Sequence, residues 1–312
     1  MLRVVFFGNS ASGFTTRHFE ALLAAPADLI GLVDLPQARR GTTNPTQNSS
    51  SALVQEAHRQ DIPIFTPEST DESGFINSLS RLNPDLFIVI GYALILKQRL
   101  LELPRLMAVN FHASLLPEYR GKHPVFWALR NAEKWAGLSV HAMDRGIDTG
   151  DLIYQVRVRT RRNDSVASLY ERIMARSLPL VERLVHDAAR GNICPYPQPQ
   201  GSGSYYSGTN DEDFRLDWNW PAERIRRYIT ITPGKCYIEL DEGRLYIIDA
   251  RTEVNQNAMP PGSILRIGRQ RAVVAASPGA VSVGQVRLGE RKVESMAAFC
   301  QSKGMVAGDI VT

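Results

Sequence analysis

The chain has 312 residues, 44% hydrophobic and 22% charged, with a net charge of +4 and a pI near 9.0. Its length exceeds one average domain, and its composition excludes a disordered or fibrous protein. No run approaches the roughly 20 apolar residues that span a bilayer, and the apolar start at Met1–Gly8 is too short for a signal peptide. Three widely spaced cysteines without a CxxC pair fit a reducing compartment and predict no disulfide framework or zinc site. We therefore expect a cytoplasmic protein with no membrane partner; its charge permits a polyanionic partner without requiring one.

Short β-branched runs alternate with helical patterns over the first 190 residues. The clearest strand, Leu86–Ile90, is continuously apolar, as is typical of a parallel sheet covered on both faces. The alternation predicts a doubly wound, Rossmann-like α/β domain over residues 1–190. The other predicted strands are Val4–Phe7, Leu29–Val33, Ile62–Phe65, Val109–Phe111, Ser139–Met143 and Leu152–Val158, with helices at Thr15–Ala25, Ala52–Arg59 and from a capping Ser165 to Ala189.

The composition changes after residue 190. Alternating prolines from Pro195 to Pro199 lead into Gly201-Ser202-Gly203-Ser204, which predicts a linker over residues 191–205. Short strands separated by Gly, Pro and acidic turns then predict a small OB-like β-barrel domain over residues 206–312. These strands are Tyr237–Leu240, Leu245–Ala250, Ile264–Ile267, Ala272–Ala276 and Val281–Leu288.

A glycine-bearing turn, Gly8-Asn9-Ser10-Ala11-Ser12-Gly13, follows the first predicted strand. Ser10 stands where a dinucleotide fingerprint has its second glycine, and no Gly-Lys-Ser/Thr follows, so neither a dinucleotide site nor a P-loop is predicted. The N–H groups of such a turn, together with the N-terminus of the next helix, can hold an anion. We therefore assign Gly8, Asn9 and Ser10 to substrate binding.

The most informative candidate for a catalytic segment is Val109-Asn110-Phe111-His112-Ala113-Ser114-Leu115-Leu116-Pro117-Glu118-Tyr119-Arg120-Gly121. Asn110 and His112 lie two apart at the carboxyl end of a predicted strand, so their side chains point to the same side. Ligand crevices of open α/β sheets lie outside those strand ends, where an amide and an imidazole make an oxyanion site. Ser114 begins the turn that would form a wall of this crevice.

A second segment, His141-Ala142-Met143-Asp144-Arg145-Gly146-Ile147-Asp148-Thr149-Gly150-Asp151, connects two predicted strands. Three carboxylates and two glycines in so short a connection indicate a tightly folded loop. Loops at strand ends commonly carry catalytic carboxylates. By default Asp144 caps the loop and Asp151 is structural, whereas His141 is as consistent with lining a pocket as with a structural role.

Taken together, these motifs resemble the methionyl-tRNA formyltransferase superfamily, which also includes glycinamide ribonucleotide, amino-sugar and amino-acid N-formyltransferases. The resemblance rests on Asn-x-His-x-Ser-Leu-Leu-Pro-x-Tyr-Arg-Gly paired with a later Gly-Ile-Asp-Thr-Gly-Asp. Gly91–Leu96 is similar to the family's folate-side loop, and Arg215–Trp218 to the start of its C-terminal barrel.

The resemblance implies an enzyme that moves the formyl group of 10-formyltetrahydrofolate to a primary amine without a metal. Asn110 would donate to the oxyanion, His112 would stabilise it, and Asp148 would hold the imidazole's charge state and help move the proton. The pterin would lie against the folate-side loop and the Asp148 loop, held largely by backbone groups. The residues assigned to folate binding are Tyr92, Ala93, Leu94, Leu96, His141 and Asp144.

The acceptor amine is less well defined by the sequence. Family members that act on tRNA resemble one another in a long basic loop after the second strand. Here that segment, Asp34–Pro45, has only the two arginines Arg39 and Arg40, no lysine, and stays neutral through Ser51. Binding to a phosphate backbone usually rests on several clustered Lys/Arg contacts.

After Arg120-Gly121 the chain continues Lys122-His123-Pro124-Val125-Phe126-Trp127, which resembles the formyltransferases of small-molecule amines. We assign Lys122 and His123 to substrate binding, although His123 is equally consistent with a cap of the helix that follows; Phe126 and Trp127 are predicted core residues. The sequence thus favours a small-metabolite acceptor, an amino-sugar nucleotide or an amino acid, with initiator methionyl-tRNA as the alternative.

Two functions of other classes are compatible with the same elements. A nicotinamide-dependent oxidoreductase would use the same sheet, but the chain has neither GxGxxG nor a ribose-binding acid pattern. A catalytically inactive nucleic-acid-binding protein would use the barrel, but the Asn110, His112 and Asp148 set is intact. The pattern carries no signal of an oligomeric state.

Overall fold

The computed structural model describes residues 1–39, 52–199, 201, 203–254 and 259–311. They form two compact units, each made of several chain segments. The first unit comprises Met1–Pro124, Trp135–Arg159 and Tyr170–Ser207, and the second comprises Val125–Lys134, Thr160–Leu169 and Gly208–Thr312. Residues 40–51, which include much of the weakly basic segment that was compared with the basic loop of tRNA-directed family members, lie outside the described residues, as do Gln200 and Ser202 of the predicted linker. No helix within the described ranges is long and apolar enough to cross a membrane.

The first two-thirds of the chain alternate strands and helices, as predicted. In chain order they are β1 (Leu2–Gly8), α1 (Gly13–Leu23), β2 (Ala27–Asp34), a 3-10 turn (Gln37–Arg39), α2 (Ala52–Arg59), β3 (Ile64–Phe65), α3 (Ser73–Arg81), β4 (Leu86–Ile90), α4 (Gln98–Leu101), β5 (Met107–His112), β6 (Arg120–Gly121), α5 (Pro124–Arg130), β7 (Trp135–Ala142), β8 (Leu152–Arg159), α6 (Val166–Ala189) and β9 (Tyr205–Tyr206).

Seven of these strands form one sheet in the order β3-β2-β1-β4-β5-β7-β8. The first five are parallel, and β7 and β8 are antiparallel to their neighbours. Every residue of β4 is buried, which confirms the fully covered strand predicted from its apolar run. From β1 the chain adds β2 and β3 on one side of the sheet, and it then adds β4 and β5 on the other side of β1. The strand order therefore reverses between β1 and β4. A ligand crevice is expected at the carboxyl ends of the strands there.

Local contacts explain the boundaries of two predicted elements. Ser165 caps α6 as predicted, because its hydroxyl accepts from the Ser168 N–H at 3.1 Å. The predicted strand Ile62–Phe65 is shorter, because the Ile62 N–H bonds to the Ala57 carbonyl at 2.9 Å and closes the end of α2. Asp61, between them, has a left-handed backbone with φ 54°. The sequence interpretation did not identify α3, whose buried face is Phe75, Ile76 and Leu79.

The second unit is dominated by antiparallel β-structure. After a 3-10 turn (Asp211–Phe214) it contains α7 (Ala222–Ile231), β10 (Tyr237–Leu240), β11 (Gly243–Ile247), β12 (Ala250–Glu253), β13 (Ile264–Ile267), β14 (Ala272–Ala275), β15 (Ala280–Val283), β16 (Gln285–Leu288), β17 (Glu294–Ser295) and α8 (Met296–Ser302). The strands form two four-stranded sheets, β10-β11-β16-β17 and β12-β15-β14-β13. An α/β fold followed by antiparallel β-structure is therefore confirmed.

Two predicted strands of this unit are each divided in two. Leu245–Ala250 is broken before Asp249, and Val281–Leu288 is broken at Gly284. The two breaks lie together: Asp249 accepts from the Gln285 N–H at 2.8 Å, and a Cβ on Gly284 would lie 2.4 Å from the Asp249 carboxylate. Arg271, 2.6 Å from that carboxylate, completes the corner. Each predicted strand therefore spans a corner at which the chain passes from one sheet to the other.

Candidate active site

Asn110 and His112 lie at the carboxyl end of β5, between β4 and β7. The antiparallel register with β7 places Asn110 opposite His141 and His112 opposite Ser139. Since residues two apart in a strand point to one side, both side chains face the same side of the sheet, as predicted. His112 is 7% exposed and Asn110 is half-buried.

Asp148 reaches these two side chains from the loop between β7 and β8. One carboxylate oxygen, Oδ1, lies 3.1 Å from Asn110 Nδ2, and the other, Oδ2, lies 3.4 Å from His112 Nδ1. The N–H of Gly121 donates to Oδ2 at 2.8 Å. The structure thus brings together the three residues that were predicted from separate motifs.

The protonation of this cluster follows from its surroundings. His112 Nε2 lies 2.8 Å from the Tyr119 carbonyl oxygen, which can only accept, so Nε2 carries a proton. Burial lowers the pKa of His112, and the negative charge of Asp148 opposes that shift. Burial alone would raise the pKa of Asp148, but contacts with His141, His112 and the Gly121 N–H outweigh it and lower that pKa to about 2. Asp148 is therefore ionised.

His141 is 2% exposed and belongs to the same cluster. Its Nδ1 donates to the Ala142 carbonyl at 2.8 Å, and its Nε2 lies 3.2 Å from Asn110 Nδ2 and 3.4 Å from Asp148 Oδ1. Asn110 Nδ2 also donates to Asp148 Oδ1 at 3.1 Å. The residue assigned from sequence to folate binding thus contacts Asn110 and orients its amide.

Sequence reasoning missed three contributors to the cluster. The Tyr119 carbonyl and the Gly121 N–H are backbone groups, and only their positions in the Tyr-Arg-Gly motif could have indicated them. Gln198 lies in the segment predicted as a linker, yet its amide bonds to the carbonyls of Asp148 and Gly150, each at 2.8 Å. No sequence signal distinguished Gln198 within that proline-rich stretch.

The residues predicted to bind folate fall into two groups. The ring centroids of Tyr92 and Phe7 lie 5.5 Å apart, and Leu96 is buried in the same apolar cluster. These two side chains therefore anchor the loop to the hydrophobic core. Leu94 is half-buried, and Ala93 is exposed. Asp144 is an exposed cap of its own loop, accepting from the Gly146 N–H and from Thr149 Oγ1 at 3.0 and 2.7 Å.

The residues predicted to bind substrate surround the same sheet edge. The Gly8-Asn9-Ser10 turn follows β1, and the Ser10 N–H donates to Asp34 at 2.9 Å. Ser114 is buried, and its hydroxyl donates to the Glu118 carbonyl at 2.6 Å. Lys122 and His123 are exposed beside Gly121, and His123 has a left-handed backbone with φ 57°. Among the described residues, no group of three or more His, Cys, Asp or Glu side chains is arranged to hold a metal ion.

The chain matches two family profiles. Residues 2–181 match the family described as Formyl transferase, and residues 209–304 match the formyl transferase C-terminal domain. The methionyl-tRNA formyltransferase of Pseudomonas putida (strain GB-1) is 30% identical over 304 residues, which cover 97% of this chain and 96% of that protein. Both results agree with the resemblance that was drawn from the motifs.

Two solved structures are similar in fold. The N-formyltransferase from Helicobacter canadensis, in complex with folinic acid and dTDP-3-aminofucose, has a TM-score of 0.66 and 17% identity and covers 92% of this chain and 100% of its own. HypX from Aquifex aeolicus has a TM-score of 0.62 and 15% identity over 97% of this chain, which spans 50% of the length of HypX.

The catalytic-domain profile covers more than half of the chain, and the Pseudomonas putida relative aligns over nearly all of it. The predicted formyltransferase resemblance is therefore confirmed, and the chain belongs to the formyl transferase family of enzymes.

Proposed function

We propose that this protein transfers the formyl group of 10-formyltetrahydrofolate to a primary amine of a small metabolite, an amino-sugar nucleotide or an amino acid. The observation that carries the proposal is the convergence of Asn110, His112 and an ionised Asp148 at the end of one strand. An amide donor and an imidazole, each within 3.4 Å of the same carboxylate, provide the groups that acyl transfer to an amine requires.

In the proposed reaction, the amine nitrogen attacks the formyl carbon and forms a tetrahedral intermediate with a negatively charged oxygen. Asn110 Nδ2 donates to that oxygen, exchanging its present bond to Asp148 for the new one. The amine proton passes to His112 or Asp148, directly or through water, and then to the departing folate nitrogen as the carbon–nitrogen bond breaks. The products are a formamide and tetrahydrofolate.

The loops that flank the site suit a flat donor held by backbone groups. Gly91, Ala93 and Ile95 are exposed in the loop after β4, whereas Tyr92 and Leu96 anchor it. Met143 packs in the same apolar cluster, and Arg145 Nε donates to Gln98 Oε1 at 2.8 Å, so the Asp148 loop is tied to the start of α4. We propose that the pterin lies between these two loops.

A small acceptor is supported by the charge of the C-terminal region. From residue 208 onward, 14 Lys and Arg face 13 Asp and Glu, so the region carries little net charge. Several of these cations are already paired, such as Arg244 with Asp211 at 2.8 Å and Arg271 with Asp249 at 2.6 Å. Binding to a phosphate backbone would draw on unpaired, clustered cations.

Initiator methionyl-tRNA is the second candidate acceptor. It is favoured by the relative named methionyl-tRNA formyltransferase, whose similarity extends over 97% of this chain, including the C-terminal region. If tRNA is the acceptor, activity should fall steeply as the salt concentration rises, because several phosphate contacts would be lost.

The test is a competition assay with 10-formyltetrahydrofolate and a panel of acceptors. Amino-sugar nucleotides and amino acids compete with aminoacylated initiator tRNA, and formylated products are identified by mass spectrometry. We expect transfer to one class of small amine, with little dependence on salt. Transfer to tRNA alone would overturn the small-metabolite assignment, and transfer to no amine would overturn the function as a whole.

The control is the His112→Ala variant at the same protein concentration. It measures formyl transfer that occurs without the proposed site, since 10-formyltetrahydrofolate can react slowly with amines in solution. Equal rates for the variant and the unmodified protein would remove the site from the reaction.

A further inference from the structure

The loop that carries Asp148 is held by a side chain that lies 50 residues further along the chain. Gln198 is 8% exposed, and its Nε2 donates one proton to the Asp148 carbonyl and the other to the Gly150 carbonyl, each at 2.8 Å. Its Oε1 accepts from Arg120 Nη2 at 2.6 Å. Both ends of this one amide are therefore occupied.

These bonds are part of a closed ring that includes the carboxylate. Arg120 is followed by Gly121, whose N–H donates to Asp148 Oδ2 at 2.8 Å. Gln198 thus binds the backbone of Asp148 and the side chain of Arg120, while the residue after Arg120 binds the carboxylate. The ring fixes Asp148 at two points, its main chain and its side chain.

The backbone of Asp148 requires such support. Its φ is 55°, in the left-handed region that residues other than glycine seldom adopt. Residues persist in such conformations only where their surroundings determine them. Asp144 closes the outer side of the loop by accepting from Thr149 Oγ1 and the Gly146 N–H. Gln198 makes the hydrogen bond to the main-chain carbonyl of Asp148.

We propose that Gln198 is a positioning residue of the reaction, which acts by holding the Asp148 loop in the conformation that presents the carboxylate to His112 and Asn110. This inference rests on the proposed role of Asp148. Gln198 does not touch the reacting atoms, so its loss should lower kcat while leaving the KM for the folate donor nearly unchanged. A displacement of about 1 Å in a catalytic group can cost on the order of 10²-fold in rate.

The first test is Gln198→Met, which keeps the volume of the side chain and removes the amide. We expect kcat to fall about 10- to 100-fold, with the KM for 10-formyltetrahydrofolate within about 3-fold of the original value. In an Asp148→Asn background, the same substitution should lower kcat by less than about 3-fold, because the group that it positions is already gone. Full kcat in Gln198→Met, or fully additive losses in the double variant, would overturn the proposal.

Gln155→Met is the matched control. Gln155 is also a glutamine of the first unit whose Nε2 makes two bonds, to the Leu116 carbonyl at 2.8 Å and to Ser139 Oγ at 2.9 Å, but neither bond is to the Asp148 loop. We expect a similar fall in melting temperature for the two variants, with the large loss of kcat confined to Gln198→Met. Equal losses of kcat would show general loosening of the unit and overturn the assignment.

A measurement without turnover separates this inference from the proposed function. The chain has six histidines, so imidazole resonances can be assigned by single substitution and titrated by NMR. Displacement of Asp148 should shift the imidazole resonances of His112 and His141 in Gln198→Met and leave them unchanged in Gln155→Met. Unchanged resonances would overturn the positioning role even if no amine were ever formylated. If Gln198→Met does not fold, Gln198→Glu, which keeps the shape but cannot donate to the two carbonyls, serves in its place.

Discussion

The two halves of the candidate site are held in place by different means. Asn110 and His112 lie on β5, whose neighbours β4 and β7 bond to it on both sides, so the sheet ladder itself fixes their direction. Asp148 lies on a loop in a left-handed conformation and is fixed by Gly121 and Gln198, which come from distant parts of the chain. A strand therefore places two groups by local geometry, whereas the third depends on a few long-range bonds.

This difference suggests how each half can fail. Asn110 and His112 would be displaced only if the sheet itself were disrupted, so they should keep their positions in most variants. The loop can lose its geometry through the removal of one hydrogen bond or the addition of one methyl group. We expect activity to be more sensitive to remote substitutions around Asp148 than to remote substitutions around β5.

The largest effect is expected from removal of the strand-borne groups. His112→Ala and Asn110→Ala should each lower kcat by about 10³-fold, the scale on which oxyanion donors and acid–base groups contribute. The far-UV circular dichroism spectrum should be retained, because the sheet ladder does not depend on either side chain. Steady-state kinetics with 10-formyltetrahydrofolate and the acceptor checks the prediction, and near-normal turnover in either variant would contradict the proposed mechanism.

Asp148→Asn should lower kcat by at least about 10²-fold. The variant keeps the backbone carbonyl that Gln198 binds, so the loop should stay in place and only the charge is lost. The contribution of the carboxylate is present above its pKa of about 2 and is lost only as the pH falls through that value, so in the original protein this carboxylate sets no limit near neutral pH. A variant with less than a threefold loss would show that its charge is unnecessary.

Gly150→Ala tests the loop without removing any side chain that contacts Asp148. A Cβ at this position would lie 1.9 Å from the Ala142 carbonyl oxygen, so the backbone beside Asp148 must shift. We expect kcat to fall about 10-fold, less than for removal of the carboxylate, because the group is displaced rather than lost. Gly74→Ala is the control: nothing lies within 4 Å of that Cβ, and its kcat should be unchanged. Equal kinetics for the two variants would contradict the close packing of the loop.

The smallest effect on turnover is expected for substitution of His18, whose ring lies beside Phe111 of β5. It is fully buried, its ring centroid lies 5.7 Å from that of Phe111, and its Nε2 lies 2.8 Å from Ser177 Oγ. Burial lowers the pKa of His18 to about 4. The unfolded chain therefore takes up a proton at higher pH than the folded protein does, and stability falls as the pH drops from about 6.5 to about 4.

The stability lost through His18 over that pH window should be roughly 3 kcal/mol, measured by urea unfolding at several pH values. His18→Gln should flatten this part of the profile, because the side chain no longer titrates, while kcat at neutral pH stays within about 3-fold. A pH profile with the same slope in both proteins would assign the acid sensitivity to other groups.

Much of the fold was predictable because it depends on local patterns. The apolar run of Leu86–Ile90 and the caps of α6 gave correct elements, and the two-residue spacing of Asn110 and His112 gave their common direction. The divided strands at Gly284 were not predictable, since the corner is made by Arg271 and Asp249, which lie elsewhere in the sequence.

The candidate site shows the same limit. The motifs identified the three side chains that converge, but the groups that hold them are backbone atoms of Tyr119 and Gly121 and the amide of Gln198. Every residue has the same backbone groups, so the amino-acid sequence does not indicate which of them will bond to a side chain. The proline-rich context of Gln198 indicated a linker, whereas in the structure Tyr196 pairs with Leu152, the first residue of β8.

The parallel pairing of β6 with β9 also determines how far the chain can be shortened. The match to the catalytic-domain profile ends at residue 181, and a polypeptide cut there would retain every strand of the seven-stranded sheet. It would lack Gln198, and it would lack the Ser204 and Tyr206 carbonyls that bond to the N–H groups of Arg120 and Lys122 at 2.9 and 2.8 Å. Such a fragment would hold Asn110 and His112 in place and leave Gly121 and Asp148 without their outer support. The smallest piece suitable for enzymology or crystallisation therefore extends past Tyr206, well beyond the end of the sheet.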